Sequence, residues 1–185
     1  MALQFDSYPD IAYGTGSDLD LSIAERRQLW KWEAAVGYRI FAAMRWGQLG
    51  DGHITCRDPE HRDHFWMLSY GVPFREATVH DLILIGPDGS VVDGPAHATA
   101  NIAGYNIHYP LLEVRQDINA AAHTHTAFGT PWSANVEPFR AISQESCSFV
   151  FNQAMYEGED LEVDSTEGGY RIAEAMGANT LVILR

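Results

Sequence analysis

Apolar residues recur along the first strongly patterned stretch at helical spacing: Ile23, Trp30, Ala34 and Phe41 fall on one stripe. Ser22 and Glu25 stand three apart just ahead of it, the spacing at which a hydroxyl and a carboxylate satisfy free backbone amides at a helix start. The pattern predicts a helix over 23–46, stopped by Gly47. The pattern then changes to short apolar or β-branched runs. His53–Cys56 and Phe65–Leu68 read as strands, and Leu82–Ile85 and Ser90–Val92 flank the turn Gly86-Pro-Asp-Gly89 as a hairpin.

Helical spacing returns over about 99–116, where Pro110 removes a backbone donor and implies either a kink or a second start. Asn119–Thr126 is a strand of small residues, Thr166–Met176 a helix closed by Gly177, and Thr180–Leu184 an apolar run suited to a buried strand. Residues 1–20 are polar and turn-rich and read as an arm, followed by one mixed α/β domain over 21–185 without repeats or linkers.

Composition narrows the function classes. A formal net charge of −13 repels phosphate backbones and anionic lipid, which excludes a nucleic-acid-binding or membrane-surface role. No window approaches the ~18 apolar residues of a membrane span. Two cysteines, Cys56 and Cys147, are too few for a disulfide framework and imply reduced thiols in a cytoplasmic protein. Cys147 stands in the apolar run Cys-Ser-Phe-Val-Phe151 and is expected as a buried small side chain. The five tryptophans are expected in the core or at subunit contacts.

The clearest local chemistry is Ala120-Ala-Ala-His-Thr-His-Thr126. Side chains at i and i+2 leave a strand on the same face, so His123 and His125 can converge on one ion, and the alanines let the strand pack closely. Taken alone, the motif is weak and reads better as a hydrogen-bonded or exposed pair of histidines than as a metal site. Tyr105 and His108 lie three apart on one face of the predicted helix and either point to the same pocket or are buried and bonded to backbone. Glu145, placed after a probable strand, is a candidate to orient a ligand from behind.

From about residue 25 onward the chain resembles the class II aldolase/adducin family. The segments that carry the resemblance are Gly52-His-Ile-Thr55, Arg57-Asp-Pro59, Asp81-Leu82 with the hairpin, Asn101-Ile-Ala-Gly-Tyr-Asn-Ile-His108, Arg115-Gln-Asp-Ile-Asn119, His123-Thr-His-Thr126 and Ser143-Gln-Glu145. The resemblance implies an α/β/α sandwich with a central, mostly antiparallel sheet, a homotetramer, and a divalent metal held by three histidines. Zinc is the expected metal, and manganese and iron(II) suit the same ligands. His123 and His125 match the first two ligands. The third lies beyond Arg185 in the family pattern, so the chain is expected to lack the C-terminal segment of its domain.

Two departures from the family pattern shape the expected chemistry. The sugar-phosphate aldolases carry a proton-transferring glutamate one helical turn before the histidine matching His108; here that position is Gly104. Their phosphate loop is only partly kept in Gly52, His53 and Thr55, where His53 either binds a substrate carboxylate or caps the loop. The resemblance therefore implies a metal-dependent lyase that cleaves a carbon–carbon bond next to a carbonyl through a metal-stabilised enolate. Decarboxylation of a hydroxy- or oxo-acid stands ahead of aldol cleavage, with His108, Tyr105 and Glu145 as candidate catalytic groups. The alternatives are a non-catalytic adducin-like assembly module, or a relative performing dehydration, epimerisation or iron-dependent oxygenation.

Overall fold

The structure is a computed structural model that describes residues 20–135, 137–158 and 163–185. The arm expected over 1–20 lies, but for Asp20, outside the described residues. The first helix, α1 (Ile23–Met44), opens on the expected capping box: the Ser22 hydroxyl accepts from the Glu25 amide and the Glu25 carboxylate accepts from the Ser22 amide. It stops earlier than expected, because Arg45 itself adopts the left-handed conformation (φ 59°) and its amide closes onto the carbonyls of Ala42 and Phe41.

Five strands follow as one antiparallel sheet: β1 (Gly52–Arg57), β2 (Phe65–Leu68), β3 (Leu82–Ile85), β4 (Val91–Asp93) and β5 (Ala120–Thr124), in the spatial order β4-β3-β2-β1-β5. Strands β1, β2 and β3 are buried on both faces, which is why β2 and β3 read as unbroken apolar runs. Ile54, Cys56, Trp66, Leu68, Leu82 and Leu84 pack under Ala34, Tyr38 and Phe41 of α1. The alternate residues Phe65, Met67, Ile83 and Ile85 face the second helix, α2 (Ile102–Val114), through Leu112, Tyr105 and Tyr109. Helix, sheet and helix form the expected α/β/α sandwich.

Helix α2 runs unbroken through Pro110. The Asn101 side chain accepts from the Gly104 amide at its start. Short helices α3 (Gly129–Ser133) and α4 (Gln144–Cys147) precede strand β6 (Gln153–Tyr156), helix α5 (Thr166–Met176) and strand β7 (Leu181–Leu184). β6 and β7 pair in parallel as a separate two-stranded sheet. Helix α5 lies against α2 so closely that a Cβ on Gly169 would run into the Asn106 carbonyl oxygen, so only glycine fits that crossing.

Three buried polar groups tie the layers together. The Tyr38 hydroxyl donates to the Ile54 carbonyl and accepts from the Ile54 and Leu68 amides, and burial raises its pKa. The fully covered Asp58 carboxylate accepts from the Arg27 guanidinium (2.6 Å), the Trp66 indole (2.9 Å) and the amides of Glu60 and His61. Burial alone would raise its pKa, but these donors outweigh burial and hold it well below the usual carboxylate range. The Arg57 guanidinium, 1% exposed, donates to the carbonyls of Arg62, Leu112, Arg115 and Ile118. It thereby fastens the end of β1 to the end of α2 and to the residues that enter β5.

Among the described residues no helix is long and apolar enough to cross a membrane, and both cysteines are free thiols. Cys56 is buried and burial pushes its thiol up to about 12. Cys147 is exposed, which corrects the expectation of burial: its run lies at the surface, with Phe149 42% and Phe151 95% exposed.

Candidate functional site

Strand β5 pairs antiparallel with β1 in a register that sets His123 opposite His53 and Thr124 opposite Gly52. The strand ends at Thr124, two residues short of the expected extent, so His125 falls just beyond it. The two Nε2 atoms of His123 and His125 nevertheless meet, 2.8 Å apart. His53 stacks on His123, with ring centroids 5.0 Å apart, and meets the edge of His108 at 4.4 Å. The Nδ1 of His108 in turn shares a 2.8 Å hydrogen bond with the Thr55 hydroxyl.

Four histidines thus share one patch of the sheet, on β1, α2, β5 and the residue after it. Burial depresses the three inner imidazoles. His108 falls to about 3 and His123 to about 4, the second helped by His125, while His53 lies well below its ordinary value. All three are neutral near pH 7, the form in which a ring nitrogen accepts a hydrogen bond or holds a cation. The Nδ1 of His53 is buried with no hydrogen-bond partner among the described residues.

A cavity of about 600 Å³ opens beside the patch, within the ordinary range for small-molecule sites. His53, His123 and His125 stand on one side of it and Trp132, Phe139 and Tyr156 also line it. Among the described lining residues there is no carboxylate, and Arg185 is the one lysine or arginine. Beside His53 stands Gly104, where a Cβ would come within 3.0 Å of the His53 ring and 2.9 Å of the Met67 methyl.

The expected site residues separate accordingly. Gly52, His53, His123 and His125 line the cavity together. Thr55 belongs to a buried strand and not to an open loop, and its hydroxyl serves His108. His108 is 2% exposed and sits behind His53, away from the cavity lining. Tyr105 points elsewhere, stacked on Tyr109 and Phe65 with its hydroxyl donating to the Pro87 carbonyl. Glu145 follows no strand: it lies in the first turn of α4, exposed and outside the cavity lining. Sequence reading missed Trp132 and Phe139 as cavity walls. The only signal was aromatic content soon after the histidine pair, which does not say which way rings face.

For a divalent metal, the pair fits two ligand positions. Two nitrogens bound tetrahedrally to zinc at ~2.0–2.1 Å stand about 3.3 Å apart, so the pair needs to open by only about 0.5 Å. No group of three or more potential ligands gathers among the described residues.

A histidine pair on the edge of an antiparallel sheet sandwiched between helices is set in a class II aldolase-like fold. The sequence profile of the class II aldolase and adducin N-terminal domain matches residues 33–185, and the chain belongs to that family. It is 33% identical over 164 residues to a 4-hydroxy-3-prenylphenylpyruvate oxygenase/4-hydroxy-3-prenylbenzoate synthase of Streptomyces roseochromogenus subsp. oscitans, covering 88% of this chain and 58% of that protein. It is 32% identical to decarboxylase NovR of Streptomyces niveus, over 88% of this chain and 60% of that one. Among solved structures, L-fuculose 1-phosphate aldolase from Glaciozyma antarctica PI12 superposes with a TM-score of 0.80 at 31% identity, covering 88% of this chain and 63% of that chain. The chain thus spans about three fifths of the length of these relatives.

Proposed function

We propose that the chain forms the metal-binding part of a lyase that cleaves a carbon–carbon bond next to a carbonyl, with decarboxylation of a hydroxy- or oxo-acid ahead of aldol cleavage. The observation that carries the reading is the convergence of His123 Nε2 and His125 Nε2 at 2.8 Å on the wall of a cavity whose described lining has no carboxylate. Retro-aldol cleavage must first take a proton from a hydroxyl, whereas carbon dioxide leaves a carboxylate without one. The aldolase and the decarboxylase among the relatives are both consistent with such a scaffold.

A divalent cation held by His123 and His125, zinc first and manganese or iron(II) by the same ligand chemistry, would supply positive charge to the carbonyl oxygen as the bond breaks. The protein does the rest. The β1–β5 pairing sets His123 opposite His53, and Arg57 holds the residues that enter β5. His53, neutral and seated against His108, offers a hydrogen bond at the cavity wall; Gly52 leaves the backbone beside it uncovered by a side chain. Tyr105, His108 and Glu145 stand off the cavity, and His108 acts on the site only through His53.

The expected environment is cytoplasmic, in keeping with two free thiols. A homo-oligomer, in the first instance a tetramer, would cover Phe128, Ile142 and Phe151, exposed by 89%, 82% and 95%. The reaction is tested by offering the full-length, metal-loaded protein ketose phosphates beside hydroxy- and oxo-carboxylic acids and measuring aldehyde and carbon dioxide release. Carbon dioxide from an acid is expected. Rapid aldehyde release from a ketose phosphate, with no carbon dioxide from any acid, would reverse the ordering.

A further inference from the structure

His53 and Gly52 line two cavities at once: the larger one beside the histidine pair, and a second of about 10 Å³ bounded also by Tyr38, Ser69, Tyr70 and Asn101. The second stands at the lower limit of the ~10–15 Å³ that one water needs. The His53 ring cannot swing its inner nitrogen out of the interior, because it is stacked on His123, meets the edge of His108 and abuts α2 at Gly104, where even a Cβ would come within 3.0 Å of it. Nδ1 therefore stays buried. Neighbouring hydroxyls are already engaged: that of Thr55 bonds His108, and that of Tyr38 serves the Ile54 carbonyl and the amides of Ile54 and Leu68. Two groups on the wall of the small cavity are not. The buried Ser69 makes no side-chain hydrogen bond among the described residues, and Asn101 accepts from the Gly104 amide through Oδ1 at 3.1 Å while its Nδ2 has no acceptor among them.

A buried imidazole nitrogen without a partner is costly, and an internal water with two to four polar neighbours is the usual remedy in folded proteins. We propose that a single water occupies the small cavity, is held by Ser69 and Asn101, and donates a hydrogen bond to His53 Nδ1. The Nδ2 of Asn101 can only donate, so the water accepts from it and has both hydrogens left to give, one of them to the ring. A neutral imidazole that accepts at Nδ1 carries its proton on Nε2. His53 is then a fixed hydrogen-bond donor on the wall of the larger cavity and not a metal ligand through Nε2. The inference deepens the reading above, on which His53 offers a hydrogen bond there, and it adds two positioning residues. Ser69 and Asn101 act on a substrate oxygen only through the water and the ring.

Neutron diffraction from deuterated crystals of the full-length, zinc-loaded protein locates both the water and the ring deuteron. One ordered water is expected between Ser69, Asn101 and His53 Nδ1, with deuterium on Nε2. Ser69→Val puts a methyl group into the cavity and is expected to expel the water and to leave His53 in a mixture of its two neutral forms. In the same variant the KM for an accepted 2-oxo acid should rise by about threefold while kcat stays within about twofold, because the donor contributes to binding more than to bond cleavage. The parent alone decides the inference if that variant fails to fold. A cavity without an ordered water, or deuterium on His53 Nδ1, would overturn it, as would an unchanged ring form in Ser69→Val. A bound water with deuterium on Nε2 in a protein that releases no carbon dioxide from any acid would sink the proposed reaction and leave this inference standing.

Discussion

The middle of the five-stranded sheet and its β5 edge are built on opposite terms. On β1 to β3 every residue is buried, both faces are covered by helices, and the polar groups inside are paired several times over, as at Tyr38 and Asp58. On β5 four of the five residues are alanine or threonine, exposure alternates with partial burial, and the strand has a partner on one side only. The inner strands hold the fold and contribute His53 to the site from a position that cannot move. The outer strand buries little, so its side chains are free to serve a ligand. Stability and chemistry are therefore separable here to an unusual degree, and substitutions should divide between them.

The largest expected effect is on chemistry. In the full-length protein, His123→Ala with His125→Ala should abolish turnover and remove most of the bound metal, while the melting temperature of the metal-free protein moves by no more than a few degrees. Elemental analysis and a thermal melt check both halves; near-stoichiometric metal in the double variant would break the assignment.

Next comes a change of stability. Asp58→Ala leaves the Trp66 indole and two backbone amides without their acceptor and the Arg27 guanidinium with Glu60 alone, and should cost about 3 kcal/mol in urea unfolding. The same carboxylate makes the fold acid-sensitive. Its pKa is lower folded than unfolded, so its contribution is complete well above the unfolded value of about 3.9 and is lost as pH falls below that value toward the folded one. In Asp58→Ala the stability lost between pH 5 and pH 3, set by the remaining groups, should be smaller than in the parent. An identical pH dependence in both would show that Asp58 is not the source.

The smallest effect concerns the surface. Phe151→Ser should leave the monomer's unfolding free energy within about 0.5 kcal/mol, because the ring is exposed, but should weaken self-association in light scattering. An unchanged assembly would place the contact elsewhere.

What the amino-acid pattern disclosed follows the same division. Helix α1 was legible because Ser22 and Glu25 signal its start locally, and β2 and β3 because strands covered on both faces are apolar throughout. The histidine pair was legible as i, i+2 on a strand, and its convergence on one point is what the geometry adds. Cys147–Phe151 misled because an apolar run reports what its residues are and not what covers them. Tyr105 and His108 do leave the same helix, but three residues of spacing could not tell that one ring turns toward Pro87 and the other goes behind His53. Arg57 stood in a recognised segment, yet its four carbonyl partners come from parts of the chain 5 to 61 residues away, and no local rule anticipates them.

The close approach of Gly104 to His53 also constrains descent. Any residue larger than glycine at position 104 must displace an imidazole that is wedged between His108 and His123, so the substitution is penalised while His53 is present. A smaller residue at position 53 relieves that penalty in advance. The two sites are thus coupled: a side chain at position 104 costs more while His53 is present than after it is replaced by a smaller residue.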